Sequence, residues 1–126
     1  MDKDKKKILV IDDDDNLRLA LSDKLAMEGF SVLEAENGKK GLEKALETHP
    51  DLVVLDIMMP VMNGIDMLKE LRKDEWGKKV KVIMLTVLEN AETLAEAMDG
   101  GTFTYLIKTD LNTEQIVKEV KDRLNG

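Results

Sequence analysis

The stretch Ile8-Leu9-Val10-Ile11-Asp12-Asp13-Asp14-Asp15 decides the reading of this chain, because four branched apolar residues run straight into four aspartates. A second run, Leu52-Val53-Val54-Leu55, ends in the same way on Asp56. Apolar at every position instead of alternate ones, both runs read as strands covered on both faces, as in a parallel sheet. Right-handed crossovers bring the C-terminal ends of such strands to one edge. The two runs therefore deliver carboxylates to a common place. Like charges gathered there repel, and a fold that gathers them either keeps protons on them or recruits a cation. A cation is the first functional expectation.

Around these runs, short apolar segments alternate with amphipathic ones, the pattern of strands joined by helical crossovers. Strands are predicted at Ile8 to Ile11, Val32 to Glu34, Leu52 to Leu55, Val80 to Leu85 and Thr104 to Ile107. Leu17, Leu21 and Leu25 recur every four residues, which predicts a helix from Asn16 to Glu28 ended by Gly29. Helices are also expected from about Lys39 to Thr48, burying Leu42, Ala45 and Leu46, and from about Ile65 to Asp74, burying Ile65, Leu68 and Leu71. A fourth carries Leu94, Ala95 and Met98; the fifth starts at Asn112, where Asn-Thr-Glu-Gln resembles a capping box, and runs through Ile116, Val117, Val120 and Leu124. Asp14 and Asp15 read as the cap and first-turn charges of the first helix. Each apolar stripe reads as core.

At 126 residues, 43% hydrophobic and 36% charged, the chain is the size and composition of one globular domain. A formal net charge of -7 argues against nucleic-acid binding, which needs a basic face to displace counterions. The absence of cysteine excludes disulfides and thiolate metal sites. The one histidine, His49, precedes Pro50 in a loop and reads as a solvated surface residue. Residues 1–7 form a basic lead-in followed by too few apolar residues for a signal peptide or a membrane span, so a cytoplasmic protein without membrane association is expected.

Ligands of open α/β sheets bind beyond the strands' C-terminal ends, and Asp12, Asp13, Asp56, Thr86 and Lys108 all lie at or just past such ends. Taken in order, Ile8 to Asp13, Asp51 to Pro60 with Asn63-Gly64, Val82-Ile83-Met84-Leu85-Thr86 and Tyr105-Leu106-Ile107-Lys108 resemble the receiver domain of bacterial two-component response regulators. The resemblance runs essentially end to end. It implies a flavodoxin-like, doubly wound five-stranded parallel sheet in the order 2-1-3-4-5 with five helices, an order that a chemotaxis member of that family illustrates.

The resemblance further implies a stand-alone receiver over residues 1–126, which takes a phosphoryl group onto Asp56 from a histidine kinase or phosphotransfer protein. By the same resemblance, Mg2+ or Mn2+ is held by Asp13, Asp56 and the backbone carbonyl of Met58, with Asp12 positioning it, often through water. Such hard oxygen donors suit these ions. Thr86 and Lys108 would donate to the remaining phosphoryl oxygens, and Thr86 and Tyr105 would form the switch. The output would be a contact with a downstream protein on the face of the fourth helix, fifth strand and fifth helix, and a phosphorylation-dependent homodimer is also open to the family. The chain would modify itself and would not turn over a pool of substrate.

The family pattern is broken at Thr109, where relatives carry proline after the lysine. A cis bond before threonine costs about 3 kcal/mol more than trans, so a different loop geometry is expected there. That departure keeps a pseudo-receiver acting as a constitutive adaptor as the alternative function. An aspartate-nucleophile phosphohydrolase is disfavoured, because such enzymes want a second aspartate two residues on, where Met58 stands. A dinucleotide or flavin binder is disfavoured by the lack of G-x-G-x-x-G and by the acidic first loop. Bulky apolar Met58 and Leu88 are expected to shield an acyl phosphate from water.

Overall fold

Five strands pair in parallel in the order β2-β1-β3-β4-β5. They are β1 (Lys7–Ile11), β2 (Ser31–Ala35), β3 (Leu52–Asp56), β4 (Lys81–Thr86) and β5 (Thr104–Ile107). The helices are α1 (Asp15–Met27), α2 (Gly38–Thr48), α3 (Gly64–Leu71) and a C-terminal helix (Thr113–Asn125). The structure is a computed structural model and describes residues 5–57, 59, 61–86, 104–107 and 112–125, with 86 and 104–107 described through their backbone. The helix expected around Leu94 and Met98 lies outside the described residues, as does residue 109.

Period-two side-chain alternation splits the core into two layers. Leu9, Ile11, Val53, Leu55, Val82 and Met84 face one way and pack on Ala45 of α2 and Met67, Leu68 and Leu71 of α3. Ile8, Val10, Leu52, Val54, Ile83 and Leu85 face the other way, against Leu21 and Leu25 of α1 and Ile116, Val117 and Val120 of the C-terminal helix. With helices on both faces, β1 and β3 have to be apolar throughout. A buried side chain of this size contributes about 1.5–3 kcal/mol, so an acidic residue inside either run would not be tolerated.

Local chemistry sets the element ends. Asp14 caps α1, accepting from the amides of Asn16 and Leu17 at 3.0 and 3.2 Å, and Gly29 beyond its end takes a φ of +96°. Asn112 and Gln115 form the expected reciprocal capping box, each side-chain oxygen accepting from the other's amide at 3.0 Å. Three readings need correction. Leu46 is exposed, because α2 turns Gly38, Gly41 and Ala45 inward; a side chain at Gly41 would collide with Ile11, so small residues let this helix lie close to the sheet. Lys7 is the first residue of β1 and no part of a lead-in: its amide donates to Asp51 Oδ2 at 2.7 Å and its ammonium to the Thr48 carbonyl at 2.7 Å. The third helix stops at Leu71, and a turn carries the chain on to β4.

His49 is exposed, as expected, but it is not idle. It ends α2 in the left-handed conformation and stacks on Trp76, with ring centroids 4.3 Å apart and planes 9° from parallel. The stack joins the α2–β3 and α3–β4 turns at the sheet edge opposite the aspartates.

Candidate acidic site at the carboxyl edge of the sheet

Ile11 and Leu55 are register partners in β1 and β3, so the next residues, Asp12 and Asp56, lie level on neighbouring strands. Asp56 in turn faces Leu85, and Thr86 faces Ile107. The sheet thus brings Asp12, Asp13, Asp56 and Thr86 to one edge by backbone register, with Tyr105 on the neighbouring β5. The side chains of Thr86 and Tyr105, together with Met58, Leu88 and Lys108, lie outside the described residues.

One carboxylate oxygen from each of Asp12, Asp13 and Asp56 lies within 4.8 Å of the other two. Asp12 and Asp56 are buried, at 1% and 3% exposure, while Asp13 is exposed. The cluster therefore has two members out of water and one open to it. Two oxygens bound to one Mg2+ at about 2.1 Å stand roughly 3–4 Å apart. Oxygens that all lie within 4.8 Å of one another suit two direct ligands and a third reaching the ion through its water. Hard, anionic oxygens at this spacing fit a hard divalent cation.

Asp12 is held from several sides. Its amide donates to the Ala35 carbonyl at 3.2 Å, its Oδ1 accepts from the Asp14 amide at 2.9 Å, and its carbonyl accepts from Arg18 Nη1 at 2.7 Å. Arg18 also reaches Asp15 Oδ1 at 2.6 Å and Glu34 Oε1 at 3.2 Å. Burial works against its charge, but the hydrogen bonds and charges of Asp15 and Glu34 outweigh it and hold the guanidinium pKa above the ordinary arginine value. Asp56 is fixed by its strand and by the loop after it. Gly64 opens α3 so close to β3 that a Cβ there would stand 2.4 Å from the Asp56 carbonyl oxygen. The Gly64 amide donates to the Ile57 carbonyl at 2.9 Å. Between them, Val61 sits exposed at a φ of 71°.

Reading by residue type missed Arg18 and Glu34. The i, i+3 spacing from Asp15 to Arg18 was the available signal for half of this arrangement; the other half depends on β2 lying beside α1.

Residues 8–121 match the response regulator receiver domain. The chain is 43% identical over 102 residues to the regulatory protein AtoC of Escherichia coli (strain K12), covering 81% of this chain and 22% of that protein. It is 32% identical over 120 residues to the chemotaxis protein CheY of Bacillus subtilis (strain 168), covering 94% of this chain and 98% of that one. Among solved structures, the receiver domain of the Francisella response regulator 1452 superposes with a TM-score of 0.84 at 30% identity, covering 96% of this chain and 98% of that one. AtoC and several other curated relatives are longer proteins, of which the chain spans 22% to 51%. No described helix is long and apolar enough to cross a membrane.

Proposed function

Because the chain belongs to the response regulator receiver domain family, we propose that Asp56 is its phosphoacceptor and that Asp12 and Asp13 hold a divalent ion beside it. The observation that carries this reading is the convergence of the three carboxylates within 4.8 Å, two of them buried. A solvated acidic surface has no reason to bury two of its members, since each loses hydration on the way in.

In this reading a carboxylate oxygen of Asp56 attacks phosphorus, the bond from phosphorus to the donor's histidine nitrogen breaks, and the nitrogen keeps the electron pair and takes up a proton. The product is an acyl phosphate on Asp56. A bound Mg2+ or Mn2+ would supply positive charge that offsets the repulsion between the carboxylates and an incoming phosphoryl group. Asp13, Asp56 and the Met58 carbonyl would ligate that ion, and Asp12 would orient it through water. Thr86 and Lys108 would donate to the phosphoryl oxygens that remain, stabilising the charge spread over them in transfer. Thr86 and Tyr105, at the ends and middle of neighbouring strands, would pass the change to the protein-binding face.

The donor in this reading is a histidine kinase or phosphotransfer protein and the output is a protein contact. The chain would accept the phosphoryl group on itself, with self-dephosphorylation but no turnover of a separate substrate. Incubation with acetyl phosphate and Mg2+, followed by electrophoresis in a gel that retards phosphoproteins, tests it. A retarded band that needs Mg2+ and disappears in Asp56→Asn is expected. A chain that never shifts is a constitutive adaptor, and the phosphoacceptor reading falls.

A further inference from the structure

We propose that Arg18 is a positioning residue for the divalent site: it clamps the β1–α1 loop so that the Asp12 and Asp13 carboxylates are presented to the ion. This inference rests on the metal-assisted reading above and assigns a role to a residue that carries none in it. Four adjacent aspartates repel one another, and a loop made of them tends to splay into solvent. Arg18 opposes this from beneath. Its side chain is only 12% exposed, and its three nitrogens donate to three different pieces of the loop and its surroundings: the Asp12 carbonyl at 2.7 Å, Asp15 Oδ1 at 2.6 Å and Glu34 Oε1 at 3.2 Å.

The direction of these contacts matters more than their number. The guanidinium charge is matched by Asp15 and Glu34, and its remaining bond goes to a backbone carbonyl. The loop is thereby pinned through its main chain while the Asp12 and Asp13 carboxylates converge on Asp56. Glu34 belongs to β2, whose next residue, Ala35, accepts from the Asp12 amide at 3.2 Å. The end of β2 thus grips Asp12 twice, once directly and once through Arg18. A planar fork with fixed donor directions can hold three acceptors at once, whereas a lysine ammonium on a flexible stem cannot match that geometry.

Positioning and plain electrostatics predict opposite signs. Removing a cation next to an acidic cluster tightens divalent binding if charge is all that matters. Removing a clamp loosens it, by about tenfold or more for groups that orient metal ligands. Titration calorimetry of the full chain with Mg2+ and with Mn2+ reads the sign directly, with thermal unfolding in EDTA as a check that each variant folds. Arg18→Gln is expected to weaken binding about tenfold or more, and Arg18→Lys to recover only a small part of it. Glu34→Gln, which loosens the clamp without touching the loop, is expected to weaken binding by a smaller factor, and with Arg18→Lys it carries the test if Arg18→Gln does not fold. Unchanged or tighter binding in the folded arginine variants overturns the inference while leaving the phosphoacceptor reading intact. A wild-type chain that binds neither ion overturns both.

Discussion

Replacing Asp13 by asparagine should stabilise the metal-free protein and destabilise the metal-loaded one relative to wild type. The change is isosteric, and Asp13 is the exposed member of the cluster, so little packing is disturbed. Asp12 is its chain neighbour and stays near it after unfolding, so that repulsion largely cancels between the two states. The folding-specific term is Asp13 against Asp56. Two unit charges within 4.8 Å of each other in a water-like surrounding repel by about 1 kcal/mol, and roughly half of that survives at physiological salt, where the screening length is about 8 Å. The dipole of α1 favours a negative charge, but Asp13 stands before the cap Asp14, outside the first turn where that effect is concentrated. Chemical denaturation in EDTA should therefore show Asp13→Asn more stable by about 1 kcal/mol at low salt, with the gain shrinking as salt is added. In Mg2+ the order should invert. A ligand at a hundred times its dissociation constant adds about 2.7 kcal/mol to the protein that binds it, and the variant loses most of that. A variant less stable than wild type in EDTA, or an order that does not change with Mg2+, would refute the argument that these carboxylates share a cation.

Three other outcomes follow from geometry near the site and at the helix interface. Gly64→Ala places a methyl group 2.4 Å from the Asp56 carbonyl oxygen; since both partners are backbone, unfolding should show a loss of about 1–3 kcal/mol together with slower labelling by acetyl phosphate. Val61→Gly removes a β-branched residue from a φ of 71° at a site 77% exposed. The relief of about 1–2 kcal/mol exceeds the extra entropy cost of glycine, about 0.5–1 kcal/mol, so urea denaturation should show a modest gain. Glu28 is held below its ordinary carboxylate pKa, chiefly by a hydrogen bond from Lys121 and then by that residue's charge. Its contribution is present above its unfolded-state value of about 4.3 and is lost as pH falls through the lower folded value, so acid titration of Glu28→Gln should show a shallower stability loss below about pH 4.

The sheet was legible because β1 and β3 are apolar at every position, a pattern that only a doubly covered strand requires, and the edge that gathers the aspartates followed from crossover handedness. Asn112 and Gln115 were legible because a capping box is local chemistry. Leu46 was misread, since the apolar periodicity of α2 competes with a rule the sequence states only indirectly: α2 turns its small residues 38, 41 and 45 inward, Gly41 against Ile11 of β1 and Gly38 against the Met62 backbone. The bond from Arg18 to Glu34 and the pairing of His49 with Trp76 were not legible. Each joins elements far apart in the chain, and no spacing rule reports which surface residue a fold will set opposite another. The acidic site was read from strand ends, while the clamp that holds it belongs to the packing of α1 on β2.

The central claim is tested most directly by locating the phosphoryl group itself. Borohydride reduces an aspartyl phosphate to homoserine, and peptide mass spectrometry then identifies the position. After incubation with acetyl phosphate and Mg2+, conversion is predicted at Asp56 alone, and none after EDTA treatment or in Asp13→Asn at low Mg2+. Reduction at another carboxylate, or conversion at Asp56 that is indifferent to the divalent ion, would contradict the account.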